Sequence, residues 1–343
     1  MNGKMNMATM KDIAEQVGVS RPAVSAVLNN KNNSRVSPEN RRKILEIASK
    51  MNFQPNFAAR ALVRQRTHMI GFICGGINEP FFANLTEMML TEAEARGYRL
   101  MTLLTNWSQE KELERLNLMM DSSIDGIIMF SSSLKSETKE YKRLLEKRFP
   151  VVLLNDMTPD FTSLMFDIRQ GVNELLELIS NGGHRKVAMV HYMNDATIKK
   201  KVYMESIRKY DLEYEEYIFH NDIDNISGEW KSISECATRI ASDPQRPDVL
   251  LMFSDFSAIA MISALTKLGI NVPDDISVAG MDGLFLGGMT TPPLTSILKD
   301  CAEMSRIAID ELIKQIDHPD TYKPRNLLVP TKLIIRNSIS KIQ

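Results

Sequence analysis

The sequence predicts two unlike parts: an all-α helix-turn-helix head, then an α/β body built on two open parallel sheets. Three observations predict this. Short helical segments punctuated by caps, glycine and proline fill residues 8–54. From Ile70 onward, short apolar runs alternate with longer amphipathic segments in two successive series, and two βαβ series imply two parallel sheets. Charge divides at the same place: residues 1–66 carry a formal +8 and the remainder −9, within a net charge of −1. A basic head on an acidic body is the asymmetry expected when one end of a chain meets a polyanion.

In the head, Thr9 precedes Met10-Lys11-Asp12-Ile13-Ala14-Glu15-Gln16-Val17, a threonine cap with an acidic residue three places on. Gly18 follows, able to take the left-handed conformation at which one helix stops and the next starts at a steep angle. Ser20 caps Arg21 to Asn29, with Pro22 tolerated because first-turn amides lack a partner inside the helix. Ser37-Pro38-Glu39 announces a third helix carrying Ile44, Leu45, Ile47, Ala48 and Met51 at helical spacing. Arg21, Ser25 and Asn29 recur every four residues, so they share one face of the second helix. An arginine and short polar side chains there suit base edges and phosphates in a major groove. A small bundle with a merely polar exposed face is the alternative.

In the body, the strand runs of the first series are Met69 to Ile73, Leu100 to Leu104, Gly126 to Phe130 and Val151 to Leu154. Amphipathic segments such as Phe82 to Arg96 and Glu110 to Met120 separate them. The second series is Val187 to Val190, Tyr217 to Phe219, Val249 to Phe253 and Ile276 to Gly280. Ligands of such sheets bind beyond the carboxyl ends of the strands, here in a cleft between two lobes.

Ordered motifs resemble the LacI/GalR family of bacterial transcription regulators. They are Thr9 to Ala14, Gly18-Val19-Ser20, Val24-Ser25, Val27-Leu28-Asn29, Val36-Ser37, Phe53-Gln54-Pro55-Asn56, Ala58 to Leu62 and Ile70-Gly71, and the likeness continues nearly to the C-terminus. The resemblance implies a helix-turn-helix DNA-binding domain over 8–54 and a hinge helix over 55–66. Over 67–343 it implies a periplasmic-binding-protein-like domain that binds an effector and dimerises. Its first lobe would take about 67–162 and 297–326, its second about 163–296 and 327–343. The resemblance also implies a homodimer on a pseudo-palindromic double-stranded operator, with a hinge leucine, by position Leu62, wedged into the minor groove. The residues expected at DNA are Thr9, Ser20, Arg21, Pro22, Ala23, Ser25, Ala26, Asn29, Arg35, Ser37, Asn56, Ala59 and Leu62. Ala26 stands where many members have arginine and cannot grip guanine bidentately, so base reading shifts towards Arg21. The loop 31–35 is longer than in the best-known members, which lets Arg35 reach the backbone.

The same resemblance places the effector site at strand ends. Phe81 and Phe82 match an Asn-Pro-Phe-Phe motif, an aromatic there stacking on a small ligand, with packing of the first helix as the alternative. Asn155 replaces the usual aspartate, Ser254-Asp255 the usual Asn-Asp, and Asp282 matches the aspartate that holds ligand hydroxyls. A turn or cap aspartate is the alternative for Asp282. Lys199 falls where members carry arginine, and lysine lacks the planar fork; a solvated helix face is its alternative. Ile223 falls where a stacking aromatic is common. These departures leave room for an effector other than a simple pyranose.

Catalysis has no motif here: there is no Gly-x-Ser-x-Gly elbow, P-loop or His-Glu-x-x-His. Three cysteines, Cys74, Cys236 and Cys301, are far apart, so neither a disulfide scaffold nor a Cys-x-x-Cys metal pair is expected. No cofactor or metal is expected. The start of the chain is polar, unlike a secretory signal, and no apolar run is long enough for a membrane helix, so a cytoplasmic protein is the expectation. The reading is a transcriptional repressor controlled by a small effector, a sugar or related metabolite. A regulator answering to a co-repressor or partner protein is the alternative, and a solute-binding protein for transport is the alternative from another class. The direction of the effector's action is open at this stage.

Overall fold

Helix α1 (Met10–Val17) opens on Thr9, whose hydroxyl accepts the Asp12 amide at 3.3 Å while the Asp12 carboxylate accepts the Thr9 amide at 2.8 Å. Both orphan amides of the helix start are thereby satisfied. Gly18 ends the helix at φ 73°, its amide on the Ala14 carbonyl at 3.0 Å, a conformation nearly free of cost for glycine alone. Ser20 starts α2 (Arg21–Leu28) by accepting the Ala23 amide at 3.4 Å. Ser37 starts α3 (Pro38–Lys50) by accepting the Asn40 amide at 3.3 Å, with Pro38 in the first turn. Ile13, Ala14, Val24, Val27, Ile44 and Ala48 meet as one small core that joins the three helices. Each buried valine or isoleucine there contributes about 1.5–3 kcal/mol of hydrophobic stabilisation.

This description comes from a computed structural model, which describes residues 8–28, 36–51, 53, 66–130, 134–192, 198–219 and 226–341. The chain divides between Thr67 and His68 into two compact units. Most of the expected hinge, 55–65, lies outside the described residues.

The body is two six-stranded sheets. The first contains β1 (Met69–Cys74), β2 (Arg99–Leu104), β3 (Gly126–Phe130), β4 (Val151–Leu154), β5 (Thr162–Asp167) and β11 (Asn326–Pro330). Its order is β11-β5-β4-β3-β1-β2, parallel throughout. The second contains β6 (Lys186–Tyr192), β7 (Glu213–Phe219), β8 (Val249–Met252), β9 (Ser277–Asp282), β10 (Thr295–Leu298) and β12 (Lys332–Ile334). Its order is β12-β10-β9-β8-β6-β7, with β12 alone antiparallel. Helices cover both faces of each sheet, as parallel sheets require. In the first lobe α4 (Pro80–Ala95) and α11 (Cys301–Asp317) pack one face through Leu85, Met89, Met304 and Leu312. There α5 (Gln109–Asp121) and α6 (Lys139–Glu146) pack the other through Leu116, Met119 and Leu144. In the second lobe α7 (Arg169–Asn181) and α8 (Ile198–Lys209) oppose α9 (Ile226–Ala241) and α10 (Asp255–Lys267).

The chain crosses between lobes three times, at positions that correct the expected boundaries. Strand β5 pairs with β4 in the first sheet, so the first crossing follows Asp167 rather than residue 162. Strand β10 belongs to the second sheet, moving the next crossing from 297 to Lys299-Asp300, and β11 keeps the first lobe until Pro330 rather than 326. Two crossings are laced together, since the Thr331 amide and hydroxyl both donate to the Asp167 carbonyl, at 3.2 and 2.9 Å.

Candidate functional site

On the head, α2 turns Val24 and Val27 into the core and leaves Arg21 and Pro22 exposed, with Ala23, Ser25 and Ala26 half-buried at the margin. Thr9, Ser20 and Ser37 are exposed at the starts of the three helices. Their hydroxyls are bound to first-turn amides, which places polar groups and helix N-termini together, an arrangement suited to phosphate oxygens. Asn29, Arg35, Asn56, Ala59 and Leu62 lie outside the described residues, as does Ile223 of the expected effector set.

In the body, Phe81, Phe82, Asn155, Ser254, Asp255 and Asp282 lie at or just beyond carboxyl ends of strands and Lys199 lies on α8, with different surroundings in the two lobes. Phe81 and Phe82, in the first turn of α4 beyond β1, are both buried. Phe82 is enclosed edge-on by Phe81, Trp107 and Phe130, with ring centroids at 5.0, 4.9 and 5.0 Å. That makes it a packing residue, the alternative noted for this pair. Phe81 meets Phe130 and Phe166 at 6.1 and 6.2 Å and carries the Lys299 ammonium over its ring, 4.8 Å from the centroid. Asn155 follows β4, exposed, at φ 59°, with its amide on the Leu164 carbonyl.

The second lobe gathers charge. Asp282, at the end of β9, is 5% exposed, and its Oδ1 accepts the Lys299 ammonium at 2.7 Å. Its Oδ2 faces the Asp255 amide at 3.4 Å. Asp255, the first residue of α10, is fully enclosed and binds the Ser296 hydroxyl at 2.5 Å and the Leu284 amide at 2.6 Å. Burial, and then the neighbouring Asp282 charge, push its carboxyl up to about 7. Gly280 permits this approach: a Cβ there would stand 2.1 Å from Asp255 Oδ1. Ser254 caps α10, its hydroxyl accepting the Ser257 amide at 3.1 Å. Asp255 and Ser254 therefore shape the floor through bonds inside the protein, and Asp282 is the carboxylate paired with Lys299 of the crossing. The Lys199 ammonium stands 5.3 Å above the Phe253 ring, which also stacks with His191 and Tyr203 at 5.2 and 6.3 Å. His191 pairs with Glu216, which Lys200 also holds, at 2.5 Å. Those two partners outweigh burial and keep the Glu216 carboxyl below its ordinary range.

Sequence reasoning missed Lys299, Phe253 and His191. Lys299 carried a readable signal, a cation directly after the run Thr295-Ser296-Ile297-Leu298, had that run been recognised as a strand. Among the described residues no group of three or more His, Cys, Asp or Glu is placed to hold a metal ion, and no helix is long and apolar enough to cross a membrane.

Two family models match the chain. One, bacterial regulatory proteins of the lacI family, covers residues 9–56, and the other, a periplasmic binding protein-like domain, covers 176–339. The chain is similar to the HTH-type transcriptional repressor PurR of Mannheimia succiniciproducens, 26% identical with 98% of this chain and 100% of that protein covered. It is 28% identical to the ribose operon repressor of Escherichia coli K12, over 94% of this chain and 98% of that one. Among solved structures it resembles the lac repressor dimer bound to operator and the anti-inducer ONPF. That likeness has a TM-score of 0.80 at 21% identity and covers 97% of this chain and 99% of the other.

Proposed function

The chain belongs to the lacI family of bacterial regulatory proteins, and from that premise we propose that it represses transcription as an operator-bound homodimer whose affinity a small effector controls. It is a DNA-binding transcriptional regulator and not an enzyme. The observation that carries the DNA reading is α2: its apolar side is consumed by the head's core while Arg21 and its neighbours stay at the surface of a basic segment. Arg21, Ser25 and the half-buried Ala23 and Ala26 are the base-reading group, and Leu62 is the minor-groove wedge. Second-copy contact is supported by Phe285, Met289 and Ile335, which are 72%, 73% and 64% exposed, far more than a lone subunit gains from. The effector, a sugar or related metabolite, lies between the strand ends of the two lobes against Phe81, Asn155, Lys199 and Asp282, over a floor made by Ser254 and Asp255. The protein works in the cytoplasm, where its operator is.

Selection of bound fragments from the source's own DNA, at a stated near-physiological salt, tests the DNA reading. A short palindrome beside a few operons is the expected result; uniform, salt-sensitive binding overturns it. Arg21→Ala is expected to cost about 1–3 kcal/mol of discrimination at one position of each half-site. Leu62→Ala weakens operator binding and leaves effector affinity as it was; unchanged operator binding removes the wedge. The cleft is tested by whether a small-molecule extract of source cells changes operator occupancy, and by whether Asp282→Asn abolishes that change.

A further inference from the structure

Lys299 occupies a place that the family likeness did not single out. It lies on the second crossing, between β10 of one lobe and α11 of the other. Its ammonium bridges the lobes, with the Phe81 ring of the first on one side and the Asp282 carboxylate of the second on the other. The two paired side chains are only 9% and 4% exposed. Burying an ion pair is costly, and apolar residues of similar volume hold a fold together as well or better. Stability alone is therefore a weak reason for a lysine here.

Hydrogen-bond capacity gives a stronger one. The carboxylates of this floor are committed to donors of the protein: Asp255 to Ser296 and Leu284, and Asp282 to Lys299 and the Asp255 amide. A neutral polyol, which donates from every hydroxyl, would share each of these carboxylate oxygens with a protein donor already on it. The ammonium has three donors and no acceptor. Among the described residues it has one hydrogen-bond partner, Asp282, and one aromatic face. A buried donor with capacity left seeks an acceptor, and an anionic oxygen is the strongest available. The pair also offers a donor and an acceptor 2.7 Å apart, complementary to a hydroxyl adjacent to a negatively charged oxygen. The Lys199 ammonium over Phe253 adds a second cation at the strand ends of the second lobe. Glu216, on the neighbouring strand β7, is already held by His191 and Lys200.

We infer that the effector is a hydroxylated anion, a carboxylate or a phosphate monoester, and that Lys299 is the residue that reads its charge. This rests on the cleft reading above.

The test uses the full-length protein and a small-molecule extract of the source cells, split on an anion-exchange resin into retained and unretained fractions at matched ionic strength. The retained fraction is expected to raise the thermal unfolding midpoint and to alter operator binding, while the unretained fraction does neither. Phosphatase treatment separates the two sources of charge: an activity that survives it is a carboxylate, one that it destroys is a phosphate ester. Lys299→Gln is expected to weaken the response about tenfold, as loss of one charge-assisted hydrogen bond does, and Lys299→Arg to retain most of it. Because Lys299→Gln alone strands Asp282, its unfolding midpoint and operator binding are measured beside the response, and a response lost with both of these kept reads the charge and not the fold. Activity in the unretained fraction overturns the inference and leaves the cleft reading standing. Activity in neither fraction overturns the cleft reading, and the inference with it. A wild-type response in Lys299→Gln removes Lys299 as the reader.

Discussion

The two lobes share a strand order and a set of flanking helices, yet their strand ends have opposite chemistry. In the first lobe, Phe81, Phe82, Phe130 and Phe166 pack ring against ring, with Trp107 beside them. In the second, Asp282 is bonded to the Asp255 amide and to Lys299, while Lys199 and His191 flank the Phe253 ring and His191 pairs with Glu216. Topology places the ends of the strands side by side; which side chains stand there is chosen separately. One lobe supplies apolar surface and the other supplies direction, and Lys299 touches both.

The difference can be probed by substitution. Phe82→Ala removes a ring packed on three others and is expected to cost about 3–5 kcal/mol, read by denaturant unfolding and nearly indifferent to salt; a loss below 1 kcal/mol, by the same rule for core rings, would mean that the aromatic group yields easily. Asp282→Ala leaves the Lys299 ammonium buried without its carboxylate and is expected to cost about 3 kcal/mol, most of it recovered when Lys299→Met is added. No recovery in that double-mutant cycle would show that the acid supports the lobe through other bonds.

Asp255 gives the charged lobe a pH dependence that reaches neutrality. Its carboxyl ordinarily titrates at 3.8 and is raised to about 7 in the fold. The folded state therefore holds the proton more tightly than the unfolded chain. This contribution to stability is complete below the ordinary value and is lost as pH rises through about 7. Asp255→Asn is expected to flatten the fall of the unfolding midpoint across that window; an unchanged slope would assign it to other groups. The smallest effect expected is that of Lys199→Ala, about 0.5–1 kcal/mol for a cation over an aromatic face, measured as the same midpoint.

Legibility in the sequence followed the same division. Runs of apolar residues revealed β1 to β4, β6, β8 and β9, because strands covered on both faces are apolar throughout. Strand β5 begins Thr162-Ser163 and β10 begins Thr295-Ser296, and neither was recognised. These small polar side chains are buried all the same, since Thr162 bonds Tyr322 at 2.7 Å, Ser163 bonds Asn326 at 2.6 Å and Ser296 bonds Asp255. A pattern of hydropathy cannot report a polar group satisfied by a partner far along the chain. Missing β10 hid its end, and with it Lys299. Asp282 was readable from Gly280-Met281-Asp282-Gly283, but its commitment to Lys299 was not, for the same reason. In the head, caps and glycine announced every described helix, because those signals act within four residues of themselves.

The placing of Trp107 against Phe82 has an optical consequence. The chain has two tryptophans: Trp107 at the carboxyl end of β2 and Trp230 on α9, where the Lys267 ammonium stands 4.7 Å over its ring. Each lobe thus holds one tryptophan, and only that of the first lobe is part of the aromatic group at the strand ends. With Trp230→Phe, emission excited selectively at tryptophan becomes a single-channel record of what enters beside Phe82. Ligand entry could then be followed in real time without a label.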